Sequence, residues 1–165
     1  MIDDTGTEPI LMDLGSLSPS PTHITSRSMA LAVQDQAAEH STLPYRAPEL
    51  FDVKTDSTID TKVDIWSLGC TLFACLVGKS PFEMRSDETG GSLNICILSG
   101  DWRWPDAGTG KGKKVANQVQ TEEDSGFSEG VREVVRLCLQ VEPADRPDVD
   151  ELIDIVEGVI EGFGE

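Results

Sequence analysis

The chain alternates apolar, helix-forming stretches with polar loops, and this pattern predicts a mainly helical domain. Residues 28–40 contain strong helix formers without Gly or Pro, so they predict a short helix with Ser26 or Ser28 near its N-cap. Residues 63–77 are apolar on nearly every side, which is typical of a helix buried in the centre of a domain. Gly78 directly after them is a helix stop signal.

Three further helices are predicted in the second half of the chain. Residues 92–100 predict a short one, and residues 128–140 an amphipathic one. The apolar face of the amphipathic helix is formed by Val131, Val134, Val135 and Cys138. The last helix begins at Asp148, which makes a capping box with Glu151. Its predicted core stripe is Leu152, Ile155, Val156 and Val159.

The remaining segments are predicted to be loops, apart from one brief strand at residues 9–12 and a one-turn helix from Pro48. Residues 15–26 and 52–62 are rich in Ser, Thr, Pro or charge and predict exposed loops, and residues 80–82 predict a turn. Residues 106–126 hold four glycines and no aromatic residue, which is typical of a flexible insertion. The sequence therefore predicts helices with a short strand remnant and no complete sheet.

Composition limits the class of function. The 165 residues are enough for one domain with its own core, and 13 basic against 30 acidic residues give a net charge of −17. Such an acidic surface repels phosphate backbones, so nucleic-acid binding is not expected. The N-terminus lacks the apolar segment of a secretory signal, and no apolar run is long enough to span a bilayer.

The cysteines indicate a reducing compartment. All of them lie in apolar runs without a C-x-x-C pair: Cys70, Cys75, Cys96 and Cys138. Only His23 and His40 could complement them as zinc ligands, and the spacing does not suit a zinc site. Buried, reduced thiols are the simpler interpretation.

Four short motifs occur in a fixed order along the chain. DLG occupies 13–15, YRAPE 45–49, DIWSLG 64–69 and DRP 145–147. The tripeptide DLG alone carries little information, but the ordered set resembles the second half of a eukaryotic protein kinase. The chain looks closest to the Numb-associated kinase group, and within it to the small myristoylated and palmitoylated serine/threonine kinases. The resemblance covers nearly the whole chain except the insertion at 106–126.

The resemblance implies a protein-kinase C-terminal lobe without the N-terminal lobe. Residues 1–50 would hold the metal-binding motif and activation segment, and residues 51–165 the helical lobe. In this family the Asp of the first motif binds Mg²⁺ against the phosphates of ATP, a role that falls on Asp13, and Gly15 lets the backbone turn. Leu14 replaces the commoner Phe and keeps apolar packing. The alternative is that Asp13 is only a turn residue.

The resemblance also assigns roles further along the chain. Thr42 and Tyr45 match the serine/threonine-type loop that meets a protein substrate. Glu49 and Arg146 would form a buried ion pair. Asp64 would be buried and accept N–H bonds from the catalytic loop, or serve as an N-cap of the long helix; both roles are open. Candidate phosphosites in this region are Ser26, Ser28, Ser41 and Thr42.

Several kinase motifs do not occur in the sequence: the Gly-rich loop, the V-A-I-K lysine and the H-R-D catalytic loop. No catalytic residue can therefore be assigned, and the chain is expected to be inactive alone. Three hypotheses follow: a fragment of an active serine/threonine kinase, a non-catalytic interaction module, or a poorly folding remnant. For the parent the resemblance implies ATP and protein substrates as partners, a cytoplasmic location, and attachment to Golgi or vesicle membranes through an N-terminal lipid anchor.

Overall fold

A computed structural model of the protein describes residues 4–8, 10, 12, 14–105 and 127–163. Within these ranges the α-helices are α1 (Arg27–His40), α2 (Lys62–Val77), α3 (Pro81–Thr89), α4 (Leu93–Ser99), α5 (Glu129–Cys138) and α6 (Val149–Glu161). Single-turn 3-10 helices occupy Leu14–Ser16, Leu43–Tyr45, Pro48–Leu50 and Pro143–Asp145. Strands β1 (Thr22–His23) and β2 (Thr58–Ile59) pair antiparallel. The predicted mainly helical class is confirmed.

Helix α2 lies at the centre of the fold, as its apolar composition predicts. Trp66, Cys70 and Phe73 on this helix are fully buried, and the indole of Trp66 stacks on the ring of Phe82 with centroids 5.2 Å apart. The helix ends at Gly78, whose φ of +89° is a left-handed conformation that favours glycine. The core around it consists of Ala47, Trp66, Cys70, Phe73, Phe82, Cys96, Ile97, Val135 and Leu139.

The C-terminal helices pack against α2 and against each other. A Cβ added at Gly69 would lie 2.5 Å from the Cβ of Cys138, so the glycine permits the close approach of α2 and α5. A second core cluster joins α2, α5 and α6 through Ile65, Val134, Cys138 and Leu152. The predicted capping box of α6 is present, with Asp148 accepting from the N–H of Glu151 and Glu151 accepting from that of Asp148.

Helix α1 and the small sheet form a third packed region. Ser26 caps α1 by accepting a hydrogen bond from the N–H of Met29, so the first of the two predicted caps is the one used. Ile24, after β1, is buried with Ala30 and Val53. The backbone of Ile24 also exchanges hydrogen bonds with Ser57 and Asp56, at 2.9 and 2.8 Å. These long-range contacts hold β1 beside β2.

Several local predictions were wrong. Residues 80–82 are the start of α3 and not a turn, because Ser80 caps the helix and Pro81 suits its first position. Strands β1 and β2 lie in segments predicted to be loops, since their pairing depends on contacts between distant parts of the chain. Cys75 is exposed, unlike the other three cysteines.

Two predicted segments cannot be compared in full. The insertion at 106–126 lies outside the described residues, and so do residues 9 and 11 of the predicted strand. Taken singly, no helix in the part of the chain that the structure describes is long and apolar enough to cross a membrane. Only α2 and α3 together, at a mutual bend of 68°, pass that test of length and composition.

Candidate functional site

The predicted metal-binding motif is only partly described by the structure. Asp13 lies outside the described residues, whereas Gly15 sits in the exposed 3-10 helix Leu14–Ser16. Among residues 4–8, 10, 12, 14–105 and 127–163, no group of three His, Cys, Asp or Glu side chains is placed to hold a metal ion. The predicted role of Asp13 therefore stays a prediction.

The predicted substrate loop follows directly after α1. Thr42 is exposed and precedes the 3-10 helix Leu43–Tyr45. The hydroxyl of Ser67 on α2 donates a hydrogen bond of 3.0 Å to the carbonyl oxygen of Tyr45 and so anchors the loop to the central helix. The phenol of Tyr45 is half-buried, and this desolvation, followed by the nearby carboxylate of Glu83, raises its pKa. The structure thus presents Thr42 to solvent and holds Tyr45 against the core.

Arg46 closes the base of this loop, which the sequence analysis did not foresee. Its Nε donates to the Ser41 hydroxyl at 2.8 Å, and its Nη2 donates to the carbonyls of Ser41 and Ala38 at 3.1 and 3.3 Å. The guanidinium also lies 5.4 Å from the ring centroid of Phe51. The sequence signal for this contact was the spacing of five residues between Ser41, directly after the helix, and Arg46. The sequence analysis used the motif at 45–49 only to assign roles to Tyr45 and Glu49.

Glu49 and Arg146 form a bidentate ion pair. The Nη1 and Nη2 atoms of Arg146 donate to the two carboxylate oxygens of Glu49 at 2.7 and 2.8 Å, across 97 residues of sequence. The side chain of Arg146 is fully buried and that of Glu49 is 16% exposed. Such parallel, charge-assisted bonds fix both geometry and partner. The structure therefore joins the 3-10 helix Pro48–Leu50 to the segment before α6.

Every N–H group of Arg146 finds an acceptor. Besides the bonds to Glu49, Nε donates to the carbonyl of Gln140, Nη1 to that of Lys62 and Nη2 to that of Val141, at 2.7 to 2.9 Å. Its guanidinium lies 5.0 Å from the ring centroid of Trp66, over the aromatic face. The ammonium of Lys62 in turn donates to the Arg146 carbonyl at 2.6 Å. A buried charge is tolerated here because all of its donors are used.

Of the two roles predicted for Asp64, the N-cap is wrong and the acceptance of N–H bonds from a catalytic loop stays a prediction. Its side chain is exposed, and Thr61 rather than Asp64 occupies the N-cap of α2. Helix α2 begins at Lys62, one residue before the apolar stretch, because the carbonyl of Thr61 already accepts a hydrogen bond from the N–H of Ile65. Within the described part of the chain, no side-chain hydrogen bond reaches the Asp64 carboxylate. Partial desolvation raises its pKa.

An apolar groove lies next to Asp64, between α2 and α6. Leu68, Val149 and Ile153 line it, and each is about half exposed. No described segment covers this groove. Asp64 is itself one of the residues that line the groove.

Comparison with known proteins adds independent information. Serine/threonine-protein kinase ppk13 of Schizosaccharomyces pombe is 36% identical over 157 residues, which cover 95% of this chain and 40% of the relative. Serine/threonine-protein kinase ENV7 of Saccharomyces cerevisiae is 34% identical, with 90% and 36% covered. Serine/threonine-protein kinase 16 of Homo sapiens is 31% identical, with 96% and 46% covered. The chain thus spans less than half the length of these relatives.

The family comparison covers most of the chain. The protein kinase domain matches residues 13–155, a range that begins at Asp13 and includes the substrate loop, the Glu49–Arg146 pair and all of α2. Because this match takes in far more than half of the sequence, the chain belongs to the protein kinase domain family.

Proposed function

We propose that this chain is the C-terminal lobe of a serine/threonine kinase, which transfers the γ-phosphoryl group of ATP to Ser or Thr side chains of proteins. The observation that carries the proposal is the buried Glu49–Arg146 ion pair. It clamps the segment that bears Thr42 and Tyr45 onto the helical core and so holds a loop of fixed shape at the surface. The serine/threonine kinases among the relatives support the choice of activity.

The residues of this chain do not by themselves fit a complete Mg²⁺–ATP site. Asp13 supplies one candidate carboxylate, and Gly15 the turn beside it. The sequence holds no Gly-rich loop, no V-A-I-K lysine and no H-R-D motif, which in kinases cradle the nucleotide and hold the second metal ligand. We therefore assign to Asp13 only the task of a metal ligand, in a domain whose other nucleotide-binding groups come from outside these 165 residues.

Thr42 and Tyr45 are proposed to position the peptide substrate. The exposed hydroxyl of Thr42 is free to contact an incoming chain, while the half-buried Tyr45 is held through its carbonyl by Ser67. Glu49 and Arg146 act as structural residues that keep this loop in place. Asp64, with its unpaired and partly desolvated carboxylate, is proposed to accept backbone N–H bonds from the catalytic loop of the whole domain.

The kinase subgroup and the division of the chain into two segments are also proposals. The stretches at 9–16, 30–51 and 63–83 support the Numb-associated group and its lipid-anchored branch. The division into an activation segment at 1–50 and a helical lobe at 51–165 follows from the same motifs. Metabolic labelling of the full-length protein with an alkynyl myristate in cells tests the anchor, since a protein that takes up no label and stays in the soluble fraction contradicts it.

The decisive experiment is a phosphotransfer assay on the full-length protein with radiolabelled ATP and a mixed protein substrate. We expect labelled phosphoserine and phosphothreonine, and no phosphotyrosine. Asp13→Asn should reduce the rate by at least about 100-fold, because the metal would lose a charged ligand. Asp35→Asn removes one exposed carboxylate from α1 and serves as the matched control.

Two results would contradict the proposal. Full activity of Asp13→Asn would remove Asp13 from the site. No phosphotransfer by the folded wild-type protein, together with capture of partners by the isolated lobe surface, would instead favour the non-catalytic interaction module.

A further inference from the structure

The end of α1 and the substrate loop are closed by one shared contact, between Ser41 and Arg46. Ser41 leaves α1 in an extended conformation, with φ −121° and ψ 139°. Its backbone N–H and its hydroxyl both donate to the carbonyl of Ala37, in the last turn of the helix. The same hydroxyl accepts the hydrogen bond from Nε of Arg46. One oxygen atom thus contacts both the helix end and the far side of the loop.

Arg46 also contacts the end of α1 through its Nη2 atom. Nη2 donates to the carbonyls of Ala38 and Ser41, which face the C-terminal end of α1 where carbonyl groups lack partners within the helix. A guanidinium suits this place because cations are favoured at the negative end of a helix. Its planar fork holds a hydroxyl and a carbonyl in one fixed geometry, whereas the donors of a lysine ammonium rotate on a flexible stem. The segment between Ser41 and Arg46 is therefore a closed ring.

The ring has a fixed base and an exposed tip. The carbonyl of Tyr45 accepts a hydrogen bond from the hydroxyl of Ser67. The backbone N–H of Tyr45 donates to the carbonyl of Thr42, and that of Arg46 donates to the carbonyl of Leu43. Thr42 and Leu43 at the tip are exposed. Without the Arg46 contact, the tip would lose its link to the end of α1, and its conformational freedom would rise.

We propose that Ser41 and Arg46 form a latch that couples the end of α1 to the peptide-binding conformation of the loop 42–45. Both are positioning residues, since they act through Thr42 and Tyr45 and do not contact the reacting atoms. This inference rests on the proposed kinase function for its catalytic consequence, but the coupling itself is a property of the chain alone.

Helix α4 offers a matched control within the same protein. Ser99 ends α4 as Ser41 ends α1, and its hydroxyl donates to the carbonyl of Ile95, four residues earlier, at 2.7 Å. No arginine contacts Ser99 in the part of the chain that the structure describes. Ser99→Ala therefore removes a helix-end hydroxyl without opening a latch.

The test compares Ser41→Ala, Ser41→Thr, Arg46→Gln, Arg46→Lys and Ser99→Ala in the full-length protein, by steady-state kinetics on a Ser/Thr peptide. Ser41→Ala and Arg46→Gln should raise the peptide KM about tenfold, the factor that one charge-assisted hydrogen bond is worth. The KM for ATP should stay unchanged and kcat should change less than about twofold. Ser41→Thr keeps the hydroxyl and should match the wild type, and Arg46→Lys should resemble Arg46→Gln because it loses the fork.

Hydrogen exchange supplies a readout that does not depend on kinase activity. Ser41→Ala and Arg46→Gln should speed exchange at the last turn of α1 and at 42–46 together, whereas Ser99→Ala should affect α4 alone. Unchanged exchange at 42–46 overturns the latch, and so does an equal rise in peptide KM for Ser41→Thr and Ser41→Ala. An inactive wild type with coupled exchange would leave the latch in place and contradict the proposed function instead.

Discussion

Arg146 and Arg136 each face two carboxylate oxygens, yet they belong to different kinds of interaction. Arg146 is fully buried and reaches Glu49 across 97 residues, with its remaining donors on backbone carbonyls. Arg136 lies on the surface of α5, 44% exposed, and contacts Glu129 and Glu133 of the same helix. The first pair can form only in the folded chain, whereas the second can form in an isolated helix.

The difference shows what burial does to the same chemistry. On the surface, water replaces a lost partner and screens the charge, so the pair contributes little to the free energy of unfolding. In the core, a charge without its partner has no water to replace it, so the loss of one member leaves the other at high free energy. This clamp, the buried Glu49–Arg146 pair, therefore makes the fold intolerant to single changes, and this property suits a contact that joins the 3-10 helix Pro48–Leu50 to the segment before α6.

Arg146→Met should produce the largest loss of stability. It would leave the Glu49 carboxylate without its partner and would remove the guanidinium hydrogen bonds to the carbonyls of Gln140, Val141 and Lys62. We expect a decrease of about 3–5 kcal/mol in the free energy of unfolding, measured by urea denaturation. Arg136→Met is the matched control, as the same substitution at an exposed site. A loss at position 146 no larger than that of the control would contradict the buried clamp.

A double replacement separates the charge penalty from the loss of packing. Glu49→Leu combined with Arg146→Met removes both charges and keeps apolar volume. We expect the double variant to be more stable than Arg146→Met alone, with a coupling free energy of about 1–3 kcal/mol in a double-mutant cycle. Additive effects of the two single changes would mean that the pair carries no mutual energy, despite its bidentate geometry.

The clamp could be predicted from sequence only through the family resemblance. Nothing local indicates that Glu49 and Arg146 meet, because the contact depends on the packing of distant segments. By contrast, helices α1, α2, α4, α5 and α6 could be predicted from local signals such as the Ser26 cap, the Gly78 stop and the capping box at Asp148. These signals act within a few residues, so the sequence reports them directly.

The features that the sequence analysis missed depend on contacts between distant residues or on side-chain direction. The pairing of β1 with β2 depends on contacts between residues more than thirty positions apart, as between His23 and Thr58. The Ser80–Pro81 pair is compatible with a turn and with a helix start, and in the folded chain Ser80 caps α3 while Phe82 stacks on Trp66. The latch at Ser41 and Arg46 was missed for a related reason, since side-chain direction cannot be derived from spacing alone.

Arg136→Gln should have a small effect that depends on salt. The expected cost is about 0.2–1 kcal/mol in low salt, because the bonds to Glu129 and Glu133 are exposed. In 0.5 M NaCl the difference from the wild type should shrink further, since added salt shortens the Debye length and screens exposed pairs more than buried ones. The penalty of Arg146→Met should hardly change with salt. A cost at Arg136 that is large and insensitive to salt would remove the distinction between the two arginines.

Asp64→Asn should have the smallest effect on the free energy of unfolding. Unlike the arginine substitutions, it should stabilise the chain at pH 7. Desolvation raises the pKa of Asp64 in the folded chain above its value in the unfolded chain. A group with a raised pKa contributes its stability below the unfolded pKa and loses it as the pH rises through the folded pKa. The ionised carboxylate therefore disfavours folding at neutral pH, although its place in the first turn of α2 offsets part of this penalty.

The chain with Asp64→Asn should thus be more stable than the wild type at pH 7 by a few tenths of a kcal/mol, an amount typical of exposed charges. The difference should vanish as the pH falls below about 4, where Asp64 is protonated in both states. Thermal unfolding between pH 3 and pH 7 checks this, with Asp35→Asn on the exposed surface of α1 as the control. Asp64→Asn that destabilises the chain at pH 7 would mean that the carboxylate has a partner in solution, and the contrast with Glu49, whose charge is fully paired, would then be lost.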